Sequence, residues 1–209
     1  MAFYKQGSIP VEEAKISMSY PRIIFMRHGE TEWNLAGRAQ GHLNSPLTEK
    51  GRAQAQKLGE ILKRELGTPN GFTQMVSPIG RTLETAENIK KHFAFDPTPV
   101  DLLKEIDLGK LSGLNRPEME EQFPEHMDGK PDYDWYFGAP GGETMDDMRK
   151  RATQWLDSLT GPTIAVAHGQ IGKVMRGIYL GLTDEQILRL KEPQGVVHVL
   201  ENGTETIWT

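Results

Sequence analysis

Apolar positions along this chain follow two rhythms, one compact and one helical. Ile23-Ile24-Phe25-Met26 is a short apolar run after Pro21, rich in β-branched and aromatic residues, and it predicts a buried strand ending at Arg27-His28-Gly29. Phe72 to Val76, Val100 to Leu103 and Thr163 to Ala167 predict further strands. Val196 to Leu200 and Thr206 to Trp208 close the chain, with Asn202-Gly203 as a hairpin-type turn between them. The helical rhythm starts after Thr48, a plausible N-cap, runs through Leu58, Ile61, Leu62 and Leu66, and stops at Gly67 and Pro69. A second helix follows Ser77-Pro78, carries Arg81 on its first turn, and continues through Leu83, Ala86 and Ile89. Met145, Met148, Ala152, Trp155, Leu156 and Leu159 predict a third, opened by Gly141-Gly142-Glu143-Thr144 and ended by Gly161-Pro162. A fourth runs from His168-Gly169 to about Leu182. Strands alternating with helices predict an α/β fold, a three-layer α/β/α sandwich around a mainly parallel central sheet. In such sheets ligands bind beyond the carboxyl ends of the strands, where Arg27, His28, Arg81, Glu105 and His168 all fall.

Between Glu105 and Pro140 the periodicity breaks down. Pro117, Pro124, Pro131 and Pro140, many acidic residues and the aromatic group Tyr133, Trp135, Tyr136, Phe137 read as a lid-like excursion with one short helix. The aromatic group either anchors this excursion to the core or covers an apolar substrate group. Residues 1–20 read as a tail and 21–209 as one domain, the size of 209 residues suiting a single core. The tail lacks the continuous apolar region of a secretory signal.

Composition narrows the chemistry. There is no Cys, which removes thiol nucleophiles, disulfides and cysteine-held metals and fits a cytoplasmic setting. No run approaches the roughly 18 apolar residues of a membrane span, so no membrane partner is expected. With 24 basic and 29 acidic residues, a formal net charge of −5 and no basic stripe, nucleic acid is not the expected partner either. A homodimer is one open expectation.

Two of the six His, His28 and His168, share a strand-His-Gly context. Glycine after each removes a Cβ and permits close approach, and the turn that follows can present N–H groups to an anion. Arg27 and Arg81 add permanent charge in a fork suited to phosphate oxygens. A phosphate pocket is the economical explanation. Within it a neutral imidazole can attack phosphorus in line, two Arg and a second His can stabilise the equatorial oxygens, and Glu105 is the best-placed acid for the leaving alkoxide. No metal and no cofactor is required. A metallohydrolase built on His28 and His168 would leave the two Arg without a role.

Phe25-Met26-Arg27-His28-Gly29-Glu30-Thr31 with Trp33-Asn34 resembles the signature of the histidine phosphatase superfamily, also called the phosphoglycerate mutase-like family. Gln40-Gly41, Ser45-Pro46-Leu47-Thr48, Ser77-Pro78 to Arg81, Leu103-Lys104-Glu105-Ile106, Pro140 to Thr144 and Ala167-His168-Gly169 resemble its later blocks, in the family's order, from about Arg22 to Gly181. The resemblance implies His28 as nucleophile, Arg27, Arg81 and His168 as ligands of the transferred phosphoryl group, and Glu105 as proton donor. It also implies that Asn34 contacts the phosphate and that the backbone of Gln170 contributes an N–H. Thr31 either donates to substrate or caps a helix, capping being favoured. Asn44 stands where the family commonly has Asp, away from the proposed phosphate ligands, and Ile79-Gly80 before Arg81 is an unusual helix start.

The activity expected is metal-independent hydrolysis of a small-molecule phosphomonoester through a phosphohistidine. Between Asp101 and Lys150 there are 13 acidic and 6 basic residues, and an Arg-rich grip for a sugar-acid carboxylate is missing. The alternatives are a cofactor-dependent phosphoglycerate mutase using the same chemistry and a non-catalytic phosphate-binding module. Glu105 would be superfluous in the latter.

Overall fold

The computed structural model describes residues 20–131 and 134–209, so the tail expectation for residues 1–19 and the expectation for Tyr133 lie outside the described residues. Six strands form one sheet: β1 (Ile23–Arg27), β2 (Thr73–Val76), β3 (Thr98–Pro99), β4 (Thr163–Ala167), β5 (Val197–Glu201) and β6 (Thr204–Trp208), in the order β3-β2-β4-β1-β5-β6. The first four in that order run parallel, and β5 and β6 add an antiparallel hairpin at one edge. The hairpin turns at Asn202 and Gly203, both at positive φ, as an Asn-Gly pair favours. The α/β three-layer arrangement with a mainly parallel sheet is thus the observed one.

Eight helices complete the described chain: α1 (Glu32–Leu35), α2 (Glu49–Leu66), α3 (Gly80–Ile89), α4 (Arg116–Gln122), α5 (Pro124–Met127), α6 (Met145–Asp157), α7 (Gly169–Tyr179) and α8 (Asp184–Leu188). Alternate residues of the central strands feed two cores. Ile24, Met26, Ile164 and Val166 meet Leu58, Leu62 and Ile89 of α2 and α3. Phe25, Ala165 and Ala167 meet Trp155, Leu156, Ile171 and Val174 of α6 and α7, together with Leu103, Leu111 and Phe137 of the excursion. This period-two alternation between buried faces is why β1 and β4 read as unbroken apolar runs.

The boundaries of α2 follow its signals: Thr48 accepts from the N–H of Gly51, and Gly67 closes the helix at positive φ. The region Val100 to Leu103 is different. The ladder ends where the Val100 N–H meets Val76 O (2.8 Å), and Asp101–Leu103 coil into a 3₁₀ turn instead of the expected strand. Pro97 and Pro99 deny the ladder two donors, so burial of Leu103 is achieved by a turn rather than by strand pairing. That turn swings the chain over the sheet edge and delivers Glu105 to the site. The excursion holds a further 3₁₀ turn and two short helices, α4 and α5, where one was expected. No helix among the described residues is long and apolar enough to cross a membrane.

Candidate active site

His28 leaves the carboxyl end of β1 and is 2% exposed. Its Nδ1 lies 2.7 Å from the carbonyl of Gly29. A carbonyl can only accept, so Nδ1 carries the proton and Nε2 keeps its lone pair. Burial, with Arg27 and Arg81 nearby, holds this imidazole well below the usual histidine value, and it is neutral at physiological pH. The adjacent Gly29 is required by a protein neighbour: a Cβ there would collide with the backbone of Gly51, and one on Gly51 would collide with Glu30 O. The start of α2 therefore presses directly on the histidine turn.

Arg81, on the first turn of α3, is 1% exposed and shares its Nε–H between His28 Nε2 (3.2 Å) and His168 Nδ1 (3.1 Å). Its two terminal nitrogens are pinned by the carbonyls of Leu43 (2.7 Å) and Gly41 (2.9 Å). Burial and the neighbouring Arg27 outweigh Glu105 and bring the guanidinium down to about 10, so it stays charged. His168, at the end of β4, has Nε2 2.7 Å from Ser77 Oγ, and its ring lies edge-on to that of His28 at 5.3 Å. Burial, then Arg81, hold it neutral as well. One sequence expectation is corrected here. Asn44 does touch one of the proposed phosphate ligands, because its Oδ1 accepts the backbone N–H of Arg81 at 2.7 Å. It caps α3, whose own N-cap, Ile79, has no side-chain acceptor. Gly80 is explained by the same contact, since a Cβ there would meet the Asn44 amide at 2.6 Å.

Glu105 reaches the N-terminus of α7. Its carboxylate accepts from the N–H groups of Gln170 (3.1 Å to each oxygen), Ile171 (3.1 Å) and Ile106 (3.0 Å). The backbone N–H of Gln170, expected to face the phosphate, serves the carboxylate in this structure. His42 fixes the same segment through Glu105 O (2.8 Å), and Arg151 donates to Leu102 O, Lys104 O and Glu105 O. Arg151 is itself paired with Glu143 (2.8 Å), whose carboxylate also takes the N–H of Asp107. Thr31 and Asn34 form a reciprocal capping box around α1, so Thr31 caps. Asn34 Oδ1 also accepts from Gln194 (3.2 Å), and the residue lines the cleft.

These groups surround a cleft of about 240 Å³. Arg27, His28, Asn34, Arg81, Glu105 and Gln170 line it, while His168, hydrogen-bonded to Arg81, is fully buried. Sequence reasoning missed Glu192, Arg38 and Trp33 in this wall. Arg27 donates to Glu192 O (2.8 Å), and its buried Nε has no hydrogen-bond partner among the described residues. Arg38 is committed to Gly113 O (2.6 Å) and to both carboxylate oxygens of Glu118 (2.9 and 3.1 Å). Trp135 and Tyr136 stack at 3.9 Å and face the same cleft.

Two neutral imidazoles, two arginines and a carboxylate at a helix N-terminus make a site for an oxyanion. The chain matches the model of the histidine phosphatase superfamily (branch 1) over residues 23–208. It is 33% identical over 186 residues to a protein of Arabidopsis thaliana named metal-independent phosphoserine phosphatase, covering 82% of this chain and 73% of that one. It is 34% identical over 175 residues to a probable phosphoglycerate mutase GpmB of Proteus mirabilis, covering 81% and 75%. Among solved structures, YhfR of Bacillus stearothermophilus aligns with a TM-score of 0.74 at 29% identity over 90% of this chain and 95% of that one. A putative α-ribazole-5′-P phosphatase of Escherichia coli shares the fold, with a TM-score of 0.76 at 20% identity over 90% and 95% of the two chains. The match over nearly the whole described chain, and the relatives it brings, place this protein in the histidine phosphatase superfamily.

Proposed function

We propose that the chain is a metal-independent phosphomonoester hydrolase acting through a phosphohistidine on His28. The observation that carries this reading is the lone pair on His28 Nε2, fixed by the Gly29 carbonyl and directed toward the Arg81 guanidinium in the wall of the cleft. Attack by Nε2 on phosphorus forms the N–P bond as the bond to the ester oxygen breaks. The unpartnered Arg27 Nε supplies a donor for the equatorial oxygens, and the Arg81 guanidinium beside His28 adds its positive charge, which serves in place of a metal charge. Glu105 is the group placed to pass a proton to the departing alkoxide. In the second half it takes a proton from water as the water oxygen bonds to phosphorus and the N–P bond breaks, releasing inorganic phosphate.

Hydrolysis is favoured over transfer to a phosphoglycerate by the state of the cations. Of the arginines lining the cleft, Arg38 is tied to Glu118 and Gly113 and Arg81 to two carbonyls. With Arg27 engaged by the phosphate, a substrate carboxylate beyond it meets no further uncommitted guanidinium among the described residues of the cleft, and the stacked Trp135 and Tyr136 suit an uncharged surface.

The test is phosphate release in the presence of EDTA from p-nitrophenyl phosphate, phosphoserine and phosphoglycerate, with interconversion of phosphoglycerates followed in parallel. His28→Ala is expected to remove turnover by at least about 10³-fold while leaving the thermal transition in place. Full activity in that variant overturns the nucleophile. Interconversion without phosphate release overturns hydrolysis in favour of a mutase.

A further inference from the structure

We propose that Glu192 is a proton-bearing positioning residue of the phosphate pocket: its carboxyl takes up a proton as an oxyanion enters beside Arg27, tying affinity for the phosphoryl group to pH. The inference rests on the reading of the cleft as a phosphate pocket.

Glu192 follows α8 in an irregular stretch and lines the cleft. Its carbonyl holds Arg27 at 2.8 Å, while its carboxylate lies 3.9 Å from the same guanidinium, 3.7 Å from Lys173 Nζ and 3.5 Å from the Gln170 amide. The second carboxylate oxygen is buried over Gly169, where a Cβ would collide with it, and has no hydrogen-bond partner among the described residues. The charge of this carboxylate is thus balanced by Arg27 of β1 and Lys173 of α7 rather than by a full set of donors. Arg176, also on α7, is already paired with Glu205 (2.6 Å), and Glu105, held at the N-terminus of the same helix, brings a second negative charge.

A phosphoryl dianion must draw on Arg27. Its arrival takes Glu192's counter-charge and adds two negative charges next to a partly unsolvated carboxylate. Neutralising that carboxylate is the inexpensive response, because a buried neutral acid is far less costly than a buried unpaired charge. Burial already pushes the Glu192 carboxyl above the usual carboxylate range; Arg27 and Lys173 work against this and Glu105 with it. Binding of an anion raises it further. Affinity is therefore full below the carboxyl's value in the empty pocket and falls as pH rises from there toward its value in the filled one. Glutamine, neutral at every pH, mimics the protonated state.

The experiment is calorimetric titration of the full chain with inorganic sulfate, a dianion whose charge does not change over the working range, in buffers of different ionisation enthalpy. The wild type is expected to take up protons on binding, and Glu192→Gln fewer at the same pH. Wild-type affinity should fall by up to about tenfold per pH unit through the transition, with Glu192→Gln tighter on the alkaline side and equal on the acid side. Comparing the two removes protons taken up by His28, His168 and Glu105. Equal uptake with parallel pH curves overturns the proposal. Wild-type binding without any proton uptake overturns it too, and needs no variant; Glu192→Met replaces the glutamine variant if that one does not fold. Absence of sulfate binding, or binding that Arg27→Ala leaves unchanged, overturns the phosphate pocket itself, so the two failures are told apart.

Discussion

The His28 imidazole in the cleft wall and the buried His168 imidazole beside it are both held neutral, and that neutrality has consequences that pH can expose. Since burial and then Arg27 and Arg81 keep His28 well below 6.5, its lone pair persists in mild acid. With p-nitrophenyl phosphate, whose leaving group needs little protonation, kcat/KM is expected to show no acid limb at the ordinary histidine value; a fall centred near 6.5 would show that the His28 imidazole is not so held. Elsewhere Glu205 accepts from Arg176 (2.6 Å) and His198 (2.8 Å). Burial works to raise its carboxyl, but these hydrogen bonds outweigh it and hold the group at about 2. A depressed carboxylate stabilises the fold fully above its unfolded value of 4.5 and loses that contribution as pH falls toward about 2. Glu205→Gln should cost on the order of 3 kcal/mol at neutral pH, with the gap to wild type closing in acid; urea titrations across pH measure it. Residues of this kind were only partly legible. His28, Arg27, Arg81 and His168 announce themselves through strand ends and neighbouring glycines, whereas Glu192 and Arg151 sit in unremarkable surroundings and acquire their partners from distant segments.

At the level of elements, the start of α3 shows how one departure explains another. Asn44 caps the helix that aims Arg81, and Gly80 leaves room for it. Asn44→Ala should cost about 1 kcal/mol and reduce turnover. Gly80→Ala should destabilise the wild type but be neutral or stabilising in the Asn44→Ala background, where the added methyl gains helix propensity without a collision. Thermal or urea denaturation of the four proteins checks the cycle, and additivity would dissolve the pairing. The loop bearing Glu105 depends likewise on Arg151 of α6. Arg151→Met leaves Glu143 and three carbonyls without their donor, and is expected to destabilise by about 3 kcal/mol. It should also slow esters of poor leaving groups more than p-nitrophenyl phosphate, a contrast that a purely structural loss would not produce. Helices and strands with intact periodicity were readable in advance. The 3₁₀ turn at Asp101–Leu103 was not, because a short Asp-Leu-Leu segment can bury Leu103 equally well from a strand or from a turn, and the ladder's limit is set by prolines before it.

Across the whole molecule, a sheet with apolar residues feeding both faces explains why the layer architecture was legible, while the path of residues 105–140 over one core was not. Proline and acidic residues suppress periodic signals there, and anchoring by Leu111, Met119 and Phe137 emerges only once the core exists. The strand order carries a further meaning. β4 lies between β1 and β2, so every strand that presents a candidate catalytic side chain waits for a segment made late. On a ribosome, β1 and β2 emerge long before the strand that joins them, and through most of translation β1 has neither of its native neighbours and β2 has only the two-residue β3. His28 and His168 cannot meet until then. A nascent or truncated chain therefore holds apolar strands open to wrong pairings but no competent pocket, and the ability to bind an oxyanion becomes a late and faithful report that the topology is complete.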